Sequence, residues 1–245
     1  MLPNLQQINR YKRTALTLFG FHLSQKNQLH MGKNAFINVL FRLLGRSKNK
    51  PSRITEEQPL PQHDDVLESL TFRQALPADV PALARLHVTA WNATYPEVQH
   101  KPTVELREYQ WLEAFKNVDD NSWCCYLIED DQDELIGFVQ GNRYKGELPG
   151  FEGQLNKIYL LQRYQRMGLG RKLVGYLARG LLSRGMFSML LFAESNNPAC
   201  LFYEALGGEK LLGEDGQFHG TYGWRDLEKL SAECPISGTV LLSAR

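Results

Sequence analysis

Leucines at 169, 173, 177 and 181 recur every four residues directly after YQRMGLGRKL (164–173), and the chain before that stretch, Gln154 to Leu161, reads as a strand. A strand, a glycine turn and a one-sided apolar helix that stops at Gly185 require a sheet for the leucines to pack on. A second short unit follows, with Phe187–Phe192 predicted as a strand and Pro198–Leu206 as a helix closed by Gly207 and Gly208. With a late strand at Tyr222–Leu227, the order in this half is strand-helix-strand-helix-strand.

Upstream, Leu70–Ala75 alternates as a strand and Pro77-Ala-Asp79 can start a helix whose buried face carries Leu83, Leu86, His87 and Ala90. Thr103 is the expected N-cap of a second helix reaching about Phe115. Runs at 122–128 and 135–143 predict a hairpin around the acidic turn Glu129–Glu134. That turn lacks the glycine and the terminal glutamate of an EF-hand, so it reads as a solvated turn. Tyr222–Leu227 is read as a late strand.

All 27 acidic residues lie after Arg53, whereas ten of the 28 basic residues lie at or before it. The first 53 residues therefore carry +10 and the remainder −9. Residues 1–62 are read as a basic extension ending in a proline-containing linker (Pro51, Pro59, Pro61), 68–232 as the folded domain and 233–245 as a tail. Within the extension, Asn34–Gly45 has an apolar stripe beside Arg42 and Arg46, which suits an anionic membrane or an acidic partner. The arm has no sequence-reading nucleic-acid motif. Its apolar patch Thr14–Phe21 is too short, and too poorly followed by small residues, for an export signal. No run approaches about 18 uncharged apolar residues. Adjacent Cys124 and Cys125, with Cys200 and Cys234, suit neither a disulfide framework nor a zinc site, and a reducing cytoplasmic setting is expected.

Gly168 and Gly170 at a helix start make room for an anion, because the first helical N–H groups are free and sit at the positive end of the dipole. Arg171-Lys172-Leu173 lacks the Gly-Lys-Ser/Thr ending of a P-loop, and Leu173 stands where a Rossmann fingerprint has its third glycine. A glycine turn without a ligand remains open on these residues alone.

Gln165, Gly168 and Gly170 fit the pattern Q/R-x-x-G-x-G/A, and Ser195-Asn-Asn-Pro-Ala-Cys-Leu-Phe-Tyr-Glu-Ala-Leu-Gly-Gly208 follows. Together these segments resemble the GNAT superfamily of N-acetyltransferases over roughly residues 70–230. The resemblance implies a mixed, mostly antiparallel sheet flanked by helices, here with a basic N-terminal extension. It further implies acetyl-CoA as co-substrate, no metal, and transfer of acetyl to a primary amine of a small molecule or protein by a monomer or homodimer. Main-chain groups of Ile158, Tyr159 and Leu160 would line the acyl arm. Gln165, Arg166, Met167, Gly168, Leu169, Gly170 and Arg171 would surround the pyrophosphate, and Asn196 would meet the pantetheine. Tyr203 matches the family's proton donor to the thiolate.

An alkylammonium has a pKa of about 10.4, so a base is useful before it attacks. Gln154 and Leu191 stand where relatives carry glutamate; Glu152 and Glu194 are the nearest carboxylates, and His87 is a further candidate. With neither glutamate in place, a catalytically weak acyl-CoA sensor is the alternative. The −9 domain charge favours a cationic acceptor.

Overall fold

The computed structural model of the chain describes residues 67, 69–116 and 122–236. The basic extension, its Asn34–Gly45 segment, the proline-containing linker and residues 237–245 lie outside them.

The elements run β1 (Thr71–Gln74), α1 (Val80–Thr94), α2 (Val104–Lys116), β2 (Trp123–Glu129), β3 (Leu135–Arg143), β4 (Gly153–Leu160), α3 (Leu169–Leu182), β5 (Met189–Phe192), α4 (Cys200–Ala205), β6 (Glu209–Leu212), β7 (Phe218–Trp224) and α5 (Leu227–Glu233). A short 3-10 turn, Pro77–Asp79, precedes α1. The strands form one seven-stranded sheet in the order β1-β2-β3-β4-β5-β7-β6. Every pairing is antiparallel except that of β4 with β5.

Both faces of the sheet are covered, which is why β2 reads as an almost continuous apolar run. Cys124 and Ile128 join the core beneath α3, whereas Cys125 and Leu127 join the core beneath α1 and α2. All four leucines of the repeat, Leu169, Leu173, Leu177 and Leu181, are fully buried. At roughly 2 kcal/mol for each buried leucine, this stripe is what holds α3 on the sheet. The helix ends in a Schellman motif: Gly185 adopts φ 70°, its N–H donates to the Leu182 carbonyl, and the Met186 N–H reaches back to Leu181. Gly207 and Gly208 close α4 in the same way, onto Glu204 and Tyr203.

Local chemistry also sets the other boundaries. The Thr103 hydroxyl accepts the Leu106 N–H at 3.2 Å, as an N-cap does. In the acidic turn, one Asp130 carboxylate oxygen accepts the N–H groups of Gln132 (3.1 Å) and Glu134 (3.0 Å), closing the turn locally.

The end of the chain differs from expectation. The late strand is β7 of a hairpin with β6, and Leu227 starts a helix rather than ending a strand. β6 is an edge strand, mostly exposed, so it shows no apolar alternation. β7 carries Gly220 and Gly223 because neighbours crowd it: a side chain at 220 would run into the Ala193 carbonyl, and one at 223 would meet the Phe151 ring at 2.5 Å.

The Arg73 guanidinium ties β1 to the start of α1 and to β2. It donates to both Asp79 oxygens at 2.7 Å and, through Nε, to Glu129 Oε2 at 2.9 Å. Asp79 also accepts the Leu76 N–H at 2.7 Å. Because all three side chains are at least three-quarters buried, Arg73→Met is expected to lower stability by about 2 kcal/mol in urea melts. An unchanged midpoint would show that the bridge contributes nothing.

Candidate active site

β4 and β5 are paired only at Gly153 with Met189 and Gln154 with Leu190. Beyond these, β5 turns its hydrogen bonds to β7, while β4 continues to Leu160 against β3. The divergence begins at a bulge. Gln140 faces Lys157 and Gly141 faces Leu155, leaving Asn156 as the extra residue in β4. No described strand covers the edge of β4 from Leu155 to Leu160. A cleft of about 1390 Å³ opens there, bounded by β4, the end of β5, the glycine turn, α4 and the end of α1. Ile158, Tyr159 and Leu160 border it.

At one end lies the turn that starts α3. The Gln165 side chain donates to the Leu160 carbonyl at 3.1 Å, folding the turn back on the strand. Arg166 (φ 67°) and Gly168 (φ 77°) are both left-handed. No side chain caps α3, and the first N–H to return into the helix is that of Lys172, to the Gly168 carbonyl. The N–H groups of Leu169, Gly170 and Arg171 thus precede the helical ladder at the cleft's edge. The two glycines serve different needs. A Cβ at 168 would meet nothing within 4 Å, so that residue is required by its φ, whereas a Cβ at 170 would lie 3.2 Å from the Phe202 ring.

The flanking side chains divide the same way. Arg166 is exposed and borders the cleft. Arg171 also borders it, but its guanidinium donates to the Ala205 carbonyl (3.1 Å) and the Glu233 carbonyl (3.4 Å), pinning α4 and α5. Met167 packs on the core and Leu169 is buried within it, so only their main chains can face an anion.

Tyr203 borders the cleft from α4 and is 6% exposed, with its ring among Phe202, Tyr222 and Trp224. Burial pushes its phenol well above the usual tyrosine range, so it stays protonated across neutral pH. Asn196 borders the cleft as well. Asn197 Oδ1 accepts the Ala199 N–H at 2.8 Å, turning the chain into α4, and its amide donates to the Tyr95 hydroxyl at 2.9 Å. That bond joins the end of α1 to the loop after β5, across the cleft.

Of the two carboxylates singled out from the sequence, the structure brings only Glu194 to the cleft. Glu152 lies outside it, and its carboxylate accepts the Phe187 N–H at 2.6 Å, holding the start of β4 to the approach of β5. His87 does not reach the cleft either. It is 2% exposed, boxed by Trp111, Phe138 and Tyr159, and burial holds its imidazole neutral.

Sequence reasoning missed Lys157. Its Nζ lies 3.3 Å from Gln140 Oε1 and 5.1 Å from the centre of the Trp111 ring. The residue keeps a minor part of its surface in the cleft, yet its ammonium is desolvated. Burial first, and then the charge of Arg107, pull its pKa down to about 8. Strict alternation would have placed Lys157 on the face of Leu155; the bulge at Asn156 reverses it. The four cysteines are free, and among the described residues no group of three or more His, Cys, Asp or Glu is placed to hold a metal.

The comparisons with known proteins agree with this geometry. The profile of the Acetyltransferase (GNAT) family matches residues 83–208. The uncharacterized N-acetyltransferase YuaI of Bacillus subtilis (strain 168) is 29% identical over 173 residues, covering 66% of this chain and 96% of YuaI. Among solved structures, the PaiA N-acetyltransferase of Thermoplasma acidophilum, determined in complex with coenzyme A, superposes with a TM-score of 0.52 at 18% identity, over 63% of this chain and 98% of that one. An acetyltransferase from Thermus thermophilus gives 0.52 at 21% identity, over 65% and 98%. The structural likenesses speak to the fold, and the family profile spans half the chain on its own. The protein belongs to the GNAT family of acetyltransferases.

Proposed function

We propose that the protein transfers the acetyl group of acetyl-CoA to a primary amine, in the cytoplasm. The observation that carries this reading is the splayed β4 edge, which meets an uncapped helix start at one end and shares its cleft with a buried protonated tyrosine. These residues fit the co-substrate. The α3 start and Arg166 offer N–H groups and charge to a pyrophosphate, and the unpaired β4 edge offers main-chain partners to a pantetheine amide. Asn196 borders the same passage.

Bound acetyl-CoA supplies a thioester acetyl group; the chemistry around it falls to the chain's own side chains and backbone. A β4 N–H polarises the acyl carbonyl. Tyr203, neutral because it is buried, gives its proton to the departing sulfur and regains one, relayed by water, from the amine nitrogen that must shed it after attack. Glu194 borders the cleft and takes the ammonium proton before attack, a role that Glu152, tied to Phe187, is not placed to fill. The free cysteines, two of them adjacent and buried, suit a reducing compartment. The segment 68–232 is the unit that does this work, with the basic extension outside it.

Tyr203→Phe keeps the ring packing and removes the proton, so turnover should fall by about a hundredfold while acetyl-CoA affinity, measured by calorimetry, stays within about twofold. Unchanged turnover across pH would remove Tyr203 from the mechanism. Gly168→Val forces the turn out of its left-handed conformation, and acetyl-CoA affinity should fall at least about tenfold. Equal affinity would remove the turn from the binding site. Binding of acetyl-CoA without turnover of any amine would favour a sensor over an enzyme.

A further inference from the structure

The end of the cleft away from the glycine turn has an apolar wall that the steps above do not use. The Tyr144 N–H donates to the Glu152 carbonyl at 2.7 Å, which sets Tyr144 beside the start of β4, whereas the glycine turn follows the end of that strand. The Tyr144 and Phe192 rings lie 6.2 Å apart and are tilted by 44°. Phe192, Thr221 and Leu211 form one cross-strand row from β5 through β7 to β6, so they share a face of the sheet. All three border the cleft, as do Tyr144 and Leu148.

The loop from β3 to β4 is folded onto this wall. The Tyr144 hydroxyl accepts the Leu148 N–H at 3.4 Å, and a Cβ at Gly146 would run into that hydroxyl. The phenol is thereby turned to the backbone of its own loop, and the ring is left as the surface beside Phe192.

Charge is sparse at this end. Among the described residues, the acids that border the cleft are Glu147 and Glu194, both exposed. Asp215, in the turn between β6 and β7, is already engaged by His219 Nε2 at 2.7 Å and by the Gln217 N–H at 3.0 Å. A polyamine carries several ammonium groups along a chain and is matched by a row of open carboxylates, which this wall does not have. Glu194 stands two residues beyond Phe192, and the intervening Ala193 N–H is tied to the Gly220 carbonyl at 2.8 Å.

Resting on the acetyltransferase reading, we propose that this wall is the acceptor subsite and that the amine acetylated is a small monoamine carrying an aromatic ring. The ring lies against Phe192 and Tyr144 and the nitrogen at Glu194. A flat apolar group gains there from burial and from ring-to-ring contact, and one carboxylate suits one ammonium. The domain charge of −9 draws a cation toward the protein, while the lining of the cleft selects what the cation is attached to.

The test uses the full chain and acetyl-CoA, with phenethylamine, tyramine and tryptamine measured against ethylamine, putrescine, spermidine and a short peptide with a free N-terminal alanine. At least one aromatic amine should exceed each of the others by about tenfold or more in kcat/KM. Tyr144→Ala should bring its ratio to ethylamine to within about twofold, the loss falling mainly on KM, whereas Tyr144→Phe should retain the ratio. Acetyl-CoA calorimetry checks that the variants fold. If Tyr144→Ala does not fold, Phe192→Leu, which removes a ring and keeps an apolar side chain, should lower the ratio in the same direction. A polyamine or the peptide matching the aromatic amines, no turnover of aromatic amines by a protein that acetylates others, or a ratio that survives both variants would each overturn the proposal. Failure of the acetyltransferase reading is separately visible as a wild-type chain that acetylates none of these amines. Calorimetry of phenethylamine then decides the subsite: binding lost in Tyr144→Ala supports it, and no binding to the wild type overturns it.

Discussion

The two-residue parallel contact between β4 and β5 is the constraint on which the rest of the site depends. Had the two strands stayed paired, their main-chain groups would satisfy one another and leave no opening. Instead β5 gives its remaining hydrogen bonds to β7, and β4 carries an open edge of polar groups from Leu155 to Leu160. Such an edge must be satisfied by water or by a ligand. It is protected from another chain's strand by the turn at Gln165 and by α4, which narrow the edge to a cleft.

The same strand separates two chemistries. Ile158 and Leu160 point to the core under α3, whose uncapped start bounds one end of the cleft. Lys157 and Tyr159 point to the opposite face, toward Trp111, Phe138 and His87. This division exists because Asn156 is bulged out, reversing the alternation between Leu155 and Ile158. One inserted residue therefore turns Lys157 away from the face of Leu155. The Tyr95 to Asn197 bond joins the two sides of the opening.

Much of this was legible from residue patterns, for identifiable reasons. The leucine repeat, the glycine stops of α3 and α4, Thr103 as a cap and the acidic hairpin turn each depend on contacts within a few residues, and local sequence reports them. The Gly168 turn and Tyr203 were legible through two motifs at a recognisable spacing. What escaped depended on distant neighbours. β6 was missed because an exposed edge strand needs no apolar face, and the full length of β7 because its glycines answer to Ala193 and Phe151. Glu152 reads as a free carboxylate in the sequence, whereas the fold brings the Phe187 N–H onto it. Arg107 and Lys157 are 50 residues apart in sequence, and Asn156 hides which way the lysine points.

The most direct test of the account is hydrogen exchange of the full chain with and without acetyl-CoA. Binding along the open edge and at the helix start predicts slowed exchange at Ile158–Leu160 and Gly168–Arg171, with the β2–β3 amides unchanged. Protection elsewhere, or none at these amides under saturating acetyl-CoA, would contradict it.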